Sequence, residues 1–296
     1  MKITPLIASR FLVDGGAMYS LVPKPIWNRL TPADEKNRIP QNLNAWLLEL
    51  DDGRLGIVDP GCGDPESYPA KDRRINGLAD EWLGTELDRV GVDRAKISFV
   101  ILTHLHWDHS GGVGSDTESG ETRLTFPNAE YYVHQFEWDD ATGDNPYLFK
   151  AYPPTTITPL LHVDKSMLHL VDGEDTEILP GVRFILAGGH TRGSCTVFID
   201  GQPELVHPSA EDCPITSGIL FASDVCPTQH HLRMVFSTSF DTYPIDTRRW
   251  KRKWLTRVAE EQIVLWFDHD HEVFAARLAA DPRAEFIMTH ELPAKT

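Results

Sequence analysis

Thr103-His104-Leu105-His106-Trp107-Asp108-His109-Ser110-Gly111-Gly112 follows directly on an apolar run, Ile97-Ser98-Phe99-Val100-Ile101-Leu102. The run has the length and composition of a buried strand. The residues after it crowd three imidazoles and a carboxylate between positions 104 and 109. Such groups are costly to hold together at a strand end unless a cation joins them. Neutral imidazole and carboxylate oxygen are both good ligands for zinc-like divalent ions, so the stretch reads as a metal-binding loop.

Three further places carry the same signature, a His or Asp just past an apolar run. They are His190 in Gly188-Gly189-His190-Thr191, Asp224 after residues 218–222, and His269 after residues 263–267. Strand ends on one edge of a sheet converge on one site. With His104, His106, Asp108 and His109 these make seven candidates, five histidines and two aspartates. One catalytic zinc takes about three protein ligands and a water, so the count predicts two ions roughly 3.5–4 Å apart sharing a carboxylate. His269 is preferred as the last ligand because it comes first after its strand; His271 and His290 are the alternatives. His134, His162, His169 and His207 read as surface or hydrogen-bonded residues, and His230 and His231 as unlikely ligands.

Along the chain, residues 6–13 read as a strand, and Asp14-Gly15-Gly16 as a turn. Residues 43–50 and 54–58 read as a hairpin across Asp51-Asp52-Gly53. Asp59 ends the second of these runs, where a carboxylate can sit beneath a metal site. Apolar spacing predicts an amphipathic helix over 77–90. A strand is expected over 130–134, a short helix over 135–141, and an irregular segment over 143–165. Further strands are expected at 167–170, 183–187 and 196–199. A helix is expected over 246–260, with Trp250, Trp254, Leu255 and Val258 inward and a basic outer face that includes Lys251. A short helix over 272–279 and a strand over 285–288 close the chain. No linker divides it, so a single domain over 1–296 is expected. The 14–45 arm and the 143–165 segment are the candidate pocket-covering segments.

The chain has 296 residues, is 41% hydrophobic, and carries a formal net charge of -16. That balance argues against a nucleic-acid substrate, which calls for clustered Lys and Arg, and suits a small neutral molecule. Four cysteines, Cys62, Cys195, Cys213 and Cys226, show no paired spacing and read as free thiols. The N-terminus lacks a signal-peptide apolar region and no run is long enough to cross a bilayer. The expectation is a cytoplasmic protein with no membrane partner. Homodimerisation is left open.

His104-Leu-His106-Trp-Asp108-His109 resembles the HxHxDH motif of the metallo-β-lactamase superfamily. Asp59, Gly189-His190-Thr191, Asp224 and His269-Asp270 follow that family's order. Asp14-Gly-Gly-Ala-Met18, Pro23-Lys24 and His269-Asp270 are similar to its N-acyl-homoserine-lactonase-like branch. The resemblance implies an α/β fold, the αβ/βα four-layer sandwich with the metal site at one edge of its two sheets. It implies His104, His106 and His190 on one ion, Asp108, His109 and His269 on the other, and Asp224 bridging. Both ions are expected to be divalent, with Zn2+ the expected identity. The pattern departs from the family at Arg192 and Ser194, where a proline and a histidine are usual. It departs again at Val225-Cys226-Pro227-Thr228, where relatives carry a tyrosine against the substrate carbonyl. Tyr19, His231 or a water could take that place.

The expected activity is quorum-quenching hydrolysis: water activated between the two ions opens a lactone or small ester, with Asp108 or Asp224 the proton donor. No GxSxG nucleophile elbow is present. The alternatives are a thioester, an organophosphate or a β-lactam as substrate, or an iron-dependent oxidoreductase on the same fold.

Overall fold

The apolar run at 97–102 lies in a mixed sheet of the computed structural model, which describes residues 1–116, 122–148 and 151–294. The chain divides into two compact units, Met1–Phe11 with Asn42–Asp172, and Leu12–Gln41 with Gly173–Thr296.

Unit 1 holds strand β1 (Lys2–Asp14) as far as Phe11, β2 (Arg38–Glu49) from Asn42 on, β3 (Leu55–Val58), β4 (Ile97–Ile101), β5 (Gly114–Asp116), β6 (Thr122–Leu124), β7 (Glu130–His134) and β8 (Leu168–Val171). Its main sheet runs β1-β2-β3-β4-β7-β8, with β5 and β6 forming a separate hairpin. β2 and β3 are antiparallel across the Asp51-Asp52-Gly53 turn, with Trp46 opposite Val58. β3, β4, β7 and β8 are parallel. Strands buried on both faces are uninterrupted apolar runs, which is why 97–101 shows no alternation. Leu43, Ile57, Leu87, Val100, Tyr131 and Val133 lie in the core of this unit. The parallel strands end together, which brings the residues after β3, β4 and β7 to one edge.

Unit 2 holds β9 (Asp175–Leu179), β10 (Val182–Leu186), β11 (Cys195–Ile199), β12 (Glu204–Leu205), β13 (Ile219–Phe221), β14 (Val264–Trp266), β15 (Val273–Asp281) and β16 (Glu285–Pro293). Its sheet runs β16-β15-β14-β13-β11-β10-β9. β13 and β14 are its parallel pair, with Ile219 opposite Val264. Their shared end carries Asp224 and His269. The helix Pro244–Glu261 buries Trp250, Trp254, Leu255 and Val258. A separate cluster gathers Met18, Tyr19, Trp27, Ile39 and Phe236.

The structure differs from the sequence expectations at several elements. Residues 272–279 are not helical. Residues 273–279 belong to β15, paired with β14 on one side and β16 on the other. Ala275 and Ala276 favour a helix locally, but both are fully buried between neighbouring strands, and tertiary pairing overrides propensity. The 77–90 helix is confined to Leu83–Arg89. A separate helix, Ala70–Asn76, ends at Gly77 in the left-handed conformation, which stops it before Leu78. Within 143–165, Pro154–His162 is a helix; Pro at its first position has the fixed φ that suits a helix start. Lys251 is fully buried rather than solvated. Its ammonium donates to the carbonyls of Arg233 and Phe236, 2.7 Å to each.

Candidate metal centre

Four of the seven sequence-derived residues sit in unit 1 and three in unit 2. In unit 1 the organising group is Asp59, fully buried, in a left-handed conformation (φ 55°) just after β3. Its Oδ1 accepts the Thr103 backbone N–H at 2.8 Å. Its Oδ2 accepts the Thr103 hydroxyl at 2.7 Å and faces His109 Nδ1 at 2.8 Å. A carboxylate oxygen only accepts, so His109 carries its proton on Nδ1 and presents the Nε2 lone pair. The Thr103 hydroxyl donates its hydrogen bond to Asp59. Its oxygen therefore accepts from His104 Nδ1, 3.2 Å away, which leaves Nε2 of His104 as a lone pair too.

The loop between these rings is fixed from several sides. Glu137, on the helix Gln135–Thr142, is fully buried and accepts the Leu105 N–H at 2.9 Å. Ser110 Oγ donates toward the carbonyls of Leu105 and His106. Gly61 N–H donates to His109 O, and Gly112 N–H to Gly61 O. A Cβ on Gly112 would lie 2.4 Å from the Pro60 carbonyl oxygen, so the glycine pair lets the two loops touch. The rings of His104 and His106 are 4.7 Å apart, and those of His104 and His109 are 4.1 Å apart. His104 and His106 each offer a ligand atom, the two within 4.8 Å of one another. Asp108 is half-buried on the short helix Trp107–Ser110 and belongs to neither group of converging ligand atoms among the described residues. Burial, and then the charge of Asp108, raise the pKa of the Cys62 thiol; burial, then Cys62 and then Asp108, raise that of the Tyr68 phenol.

In unit 2, His190 sits on the turn between β10 and β11. Gly189, at φ +86°, packs so tightly on Thr247 that a Cβ would lie 2.4 Å from its hydroxyl oxygen. Ser194 stabilises the turn, its Oγ accepting the Thr191 N–H at 2.8 Å. His190 Nδ1 lies 3.1 Å from Asp241, and Nε2 lies 3.0 Å from Asp224 Oδ2. Burial alone would lower the His190 pKa, but these two carboxylates raise it to about 10. Asp224 follows Ser223, whose φ of 53° is uncommon for a non-glycine residue. The other oxygen of Asp224, Oδ1, lies 2.9 Å from His269 Nε2. One carboxylate thus stands between the Nε2 atoms of two imidazoles. Asp268, fully buried, completes a group in which Asp224, Asp268 and His269 each place a ligand atom within 4.8 Å of the others.

His271 is paired instead with Glu272 at 3.9 Å, and His290 is exposed on β16. Asp270 accepts the backbone N–H groups of Gln229, Glu272 and Val273, which ties loops together. His231 has both ring nitrogens engaged, with Thr228 Oγ1 and Met18 O, and burial lowers its pKa to about 3. Tyr19 is buried, hydrogen-bonded to Thr31 and stacked between Trp27 and His231. It serves packing within unit 2. His134 caps the helix that carries Glu137.

Asp241, Glu137 and Asp268 were not marked by the sequence as site residues. Only Asp268 had a signal there, a carboxylate at the end of a buried strand. The donor set suits divalent metal ions. His104, His109 and His190 are each held at Nδ1 by an oxygen, the arrangement that orients metal-ligating imidazoles.

Residues 38–202 match the family model of the metallo-beta-lactamase superfamily. The chain is 27% identical over 174 residues to an N-acyl homoserine lactonase of Bacillus thuringiensis, covering 54% of this chain and 60% of that protein. It is 29% identical over 204 residues to the N-acyl homoserine lactonase AiiB of Agrobacterium fabrum, covering 63% of each. The match thus spans less than two thirds of these relatives' length. A probable metal-dependent hydrolase from Staphylococcus aureus shares the fold, with TM-score 0.83, 24% identity, and coverage of 100% of this chain and 97% of that one.

Proposed function

Because the chain belongs to the metallo-β-lactamase superfamily, we propose that it is a dinuclear metal-dependent hydrolase that opens a lactone or small ester. N-acyl-homoserine lactones are the leading substrate class. The observation that carries this reading is Asp224, whose two oxygens face His190 Nε2 and His269 Nε2 at 3.0 and 2.9 Å. A carboxylate so flanked is suited to bridging two ions. In this reading His104, His106 and His190 hold one ion, and Asp108, His109 and His269 hold the other. Asp108 is half-buried, and a side chain open to solvent in this way can also meet substrate. The lactonase relatives support the substrate class.

Held by these residues, divalent ions would lower the pKa of bound water to roughly 7 and would polarise the scissile carbonyl. The chain's own residues do the rest. Asp59 and Asp241 keep His109 and His190 in the tautomer that presents Nε2. A carboxylate oxygen of Asp108 or Asp224 takes the proton of the attacking water and returns it to the leaving alkoxide. The negative net charge suits a neutral substrate and disfavours polyanions.

Metal quantification coupled to a substrate screen tests the proposal. Two ions per chain are expected, with turnover of lactones that is lost on chelation. Turnover of thioesters or phosphotriesters alone, with silence on every lactone, contradicts the substrate class; fewer than two ions contradicts the dinuclear site.

A further inference from the structure

We propose that Asp268 is an additional ligand of the ion held by His269, and that it makes this pocket accept Mn2+ as well as Zn2+. The inference rests on the dinuclear reading above and extends it to the composition of one of the two ligand sets.

Asp268 lies two residues past Trp266, the buried end of β14, and the backbone bends at Asp268 and His269. In a regular strand these neighbours would point to opposite faces. At the bend both place a ligand atom within 4.8 Å of Asp224. The direction of approach distinguishes a ligand from a residue that merely orients one. Asp59 and Asp241 meet their histidines at Nδ1, the side away from an ion. Asp268 Oδ2 lies on the Nε2 side of His269, 3.8 Å from that nitrogen, where Asp224 Oδ1 also lies. Two buried carboxylates this close repel one another, and a dication between them relieves the repulsion.

With Asp268 added, the set proposed for this ion (Asp108, His109, His269 and the bridging Asp224) would offer three carboxylates and two imidazoles. Carboxylate-rich sets suit Mn2+, whereas imidazole-rich sets such as His104 with His106 suit zinc. Zinc binds a given site more tightly than manganese as a rule, so the expected effect of Asp268 is a narrowed preference rather than a reversed one.

The test uses the full chain stripped of metal. Mass-spectrometric metal counting should give two Zn2+ per wild-type chain. A chain preloaded with one equivalent of Zn2+ should then take up one Mn2+, read by loss of the free-ion electron paramagnetic resonance signal. Asp268→Asn should weaken Mn2+ uptake at least about ten-fold, the lower end of losses seen when metal-site partners are removed, and weaken Zn2+ less. Asp268→Glu, which keeps a carboxylate, should recover part of the Mn2+ uptake. Unchanged Mn2+ affinity in Asp268→Asn, or an equal loss for both metals, overturns the inference while the dinuclear reading stands. Refusal of Mn2+ by the wild-type chain overturns it whichever variants fold. Fewer than two Zn2+ per wild-type chain overturns the dinuclear reading, and the inference with it.

Discussion

Asp59→Asn changes one atom in a fully buried site, and its consequence follows from proton placement. The asparagine carbonyl can replace Oδ1 and still accept the Thr103 N–H. Its NH2 group then stands where Oδ2 faced the Thr103 hydroxyl and His109 Nδ1. The threonine hydroxyl can rotate to accept. His109 Nδ1–H cannot face a second donor, so the ring must move its proton to Nε2, where a metal would bind. Loss of such an orienting partner costs 10- to 100-fold in metal affinity, about 1.4–2.7 kcal/mol. The fold should survive, because the polar contacts at Asp59 are rearranged rather than removed. Chelator competition on the purified variant gives the affinity, and 15N NMR of the metal-free chain gives the tautomer. Wild-type affinity for both ions, with His109 still protonated on Nδ1, would refute the role assigned to Asp59.

Glu137→Ala leaves the buried Leu105 N–H without this acceptor and should cost about 1–3 kcal/mol. The expected readouts are a lower Tm and weaker metal retention, with Glu137→Gln losing less of both. Lys251, pushed down to about 8 by burial, keeps its proton less readily folded than unfolded. The unfolded chain therefore binds more protons between pH 8 and 10.5, and stability should rise with pH across that window. Lys251→Met should flatten that slope, a difference on the order of 3 kcal/mol measurable by denaturant unfolding at several pH values; an identical slope contradicts the assignment. Asp241→Asn removes one of the two carboxylates that raise the His190 pKa. NMR titration of the metal-free variant should give a lower value for that imidazole.

The parts of the site that the sequence revealed were those fixed by local chain. His104, His106 and His109 stand out because density at one strand end has few explanations. Asp224 and His269 stand out because each closes an apolar run. Asp241 was invisible: it reaches His190 from an irregular segment 51 residues away, and no periodicity marks it. Glu137 falls within the short helix expected over 135–141, and nothing local says that its carboxylate turns toward a backbone N–H. Lys251 was hidden among the arginines and lysines around it. Two open carbonyls in the 233–236 segment are what draw it inward. Residues 272–279 misled in the other direction. Alanines that favour a helix in isolation are, between two strands, the small side chains that allow burial on both faces.

The most direct test of a dinuclear hydrolase is a stepwise metal titration of the stripped chain, with lactone ring opening followed at each addition. The account predicts that turnover stays low through the first equivalent of Zn2+, rises with the second and then levels. Full turnover at one equivalent, or none at two, would contradict it.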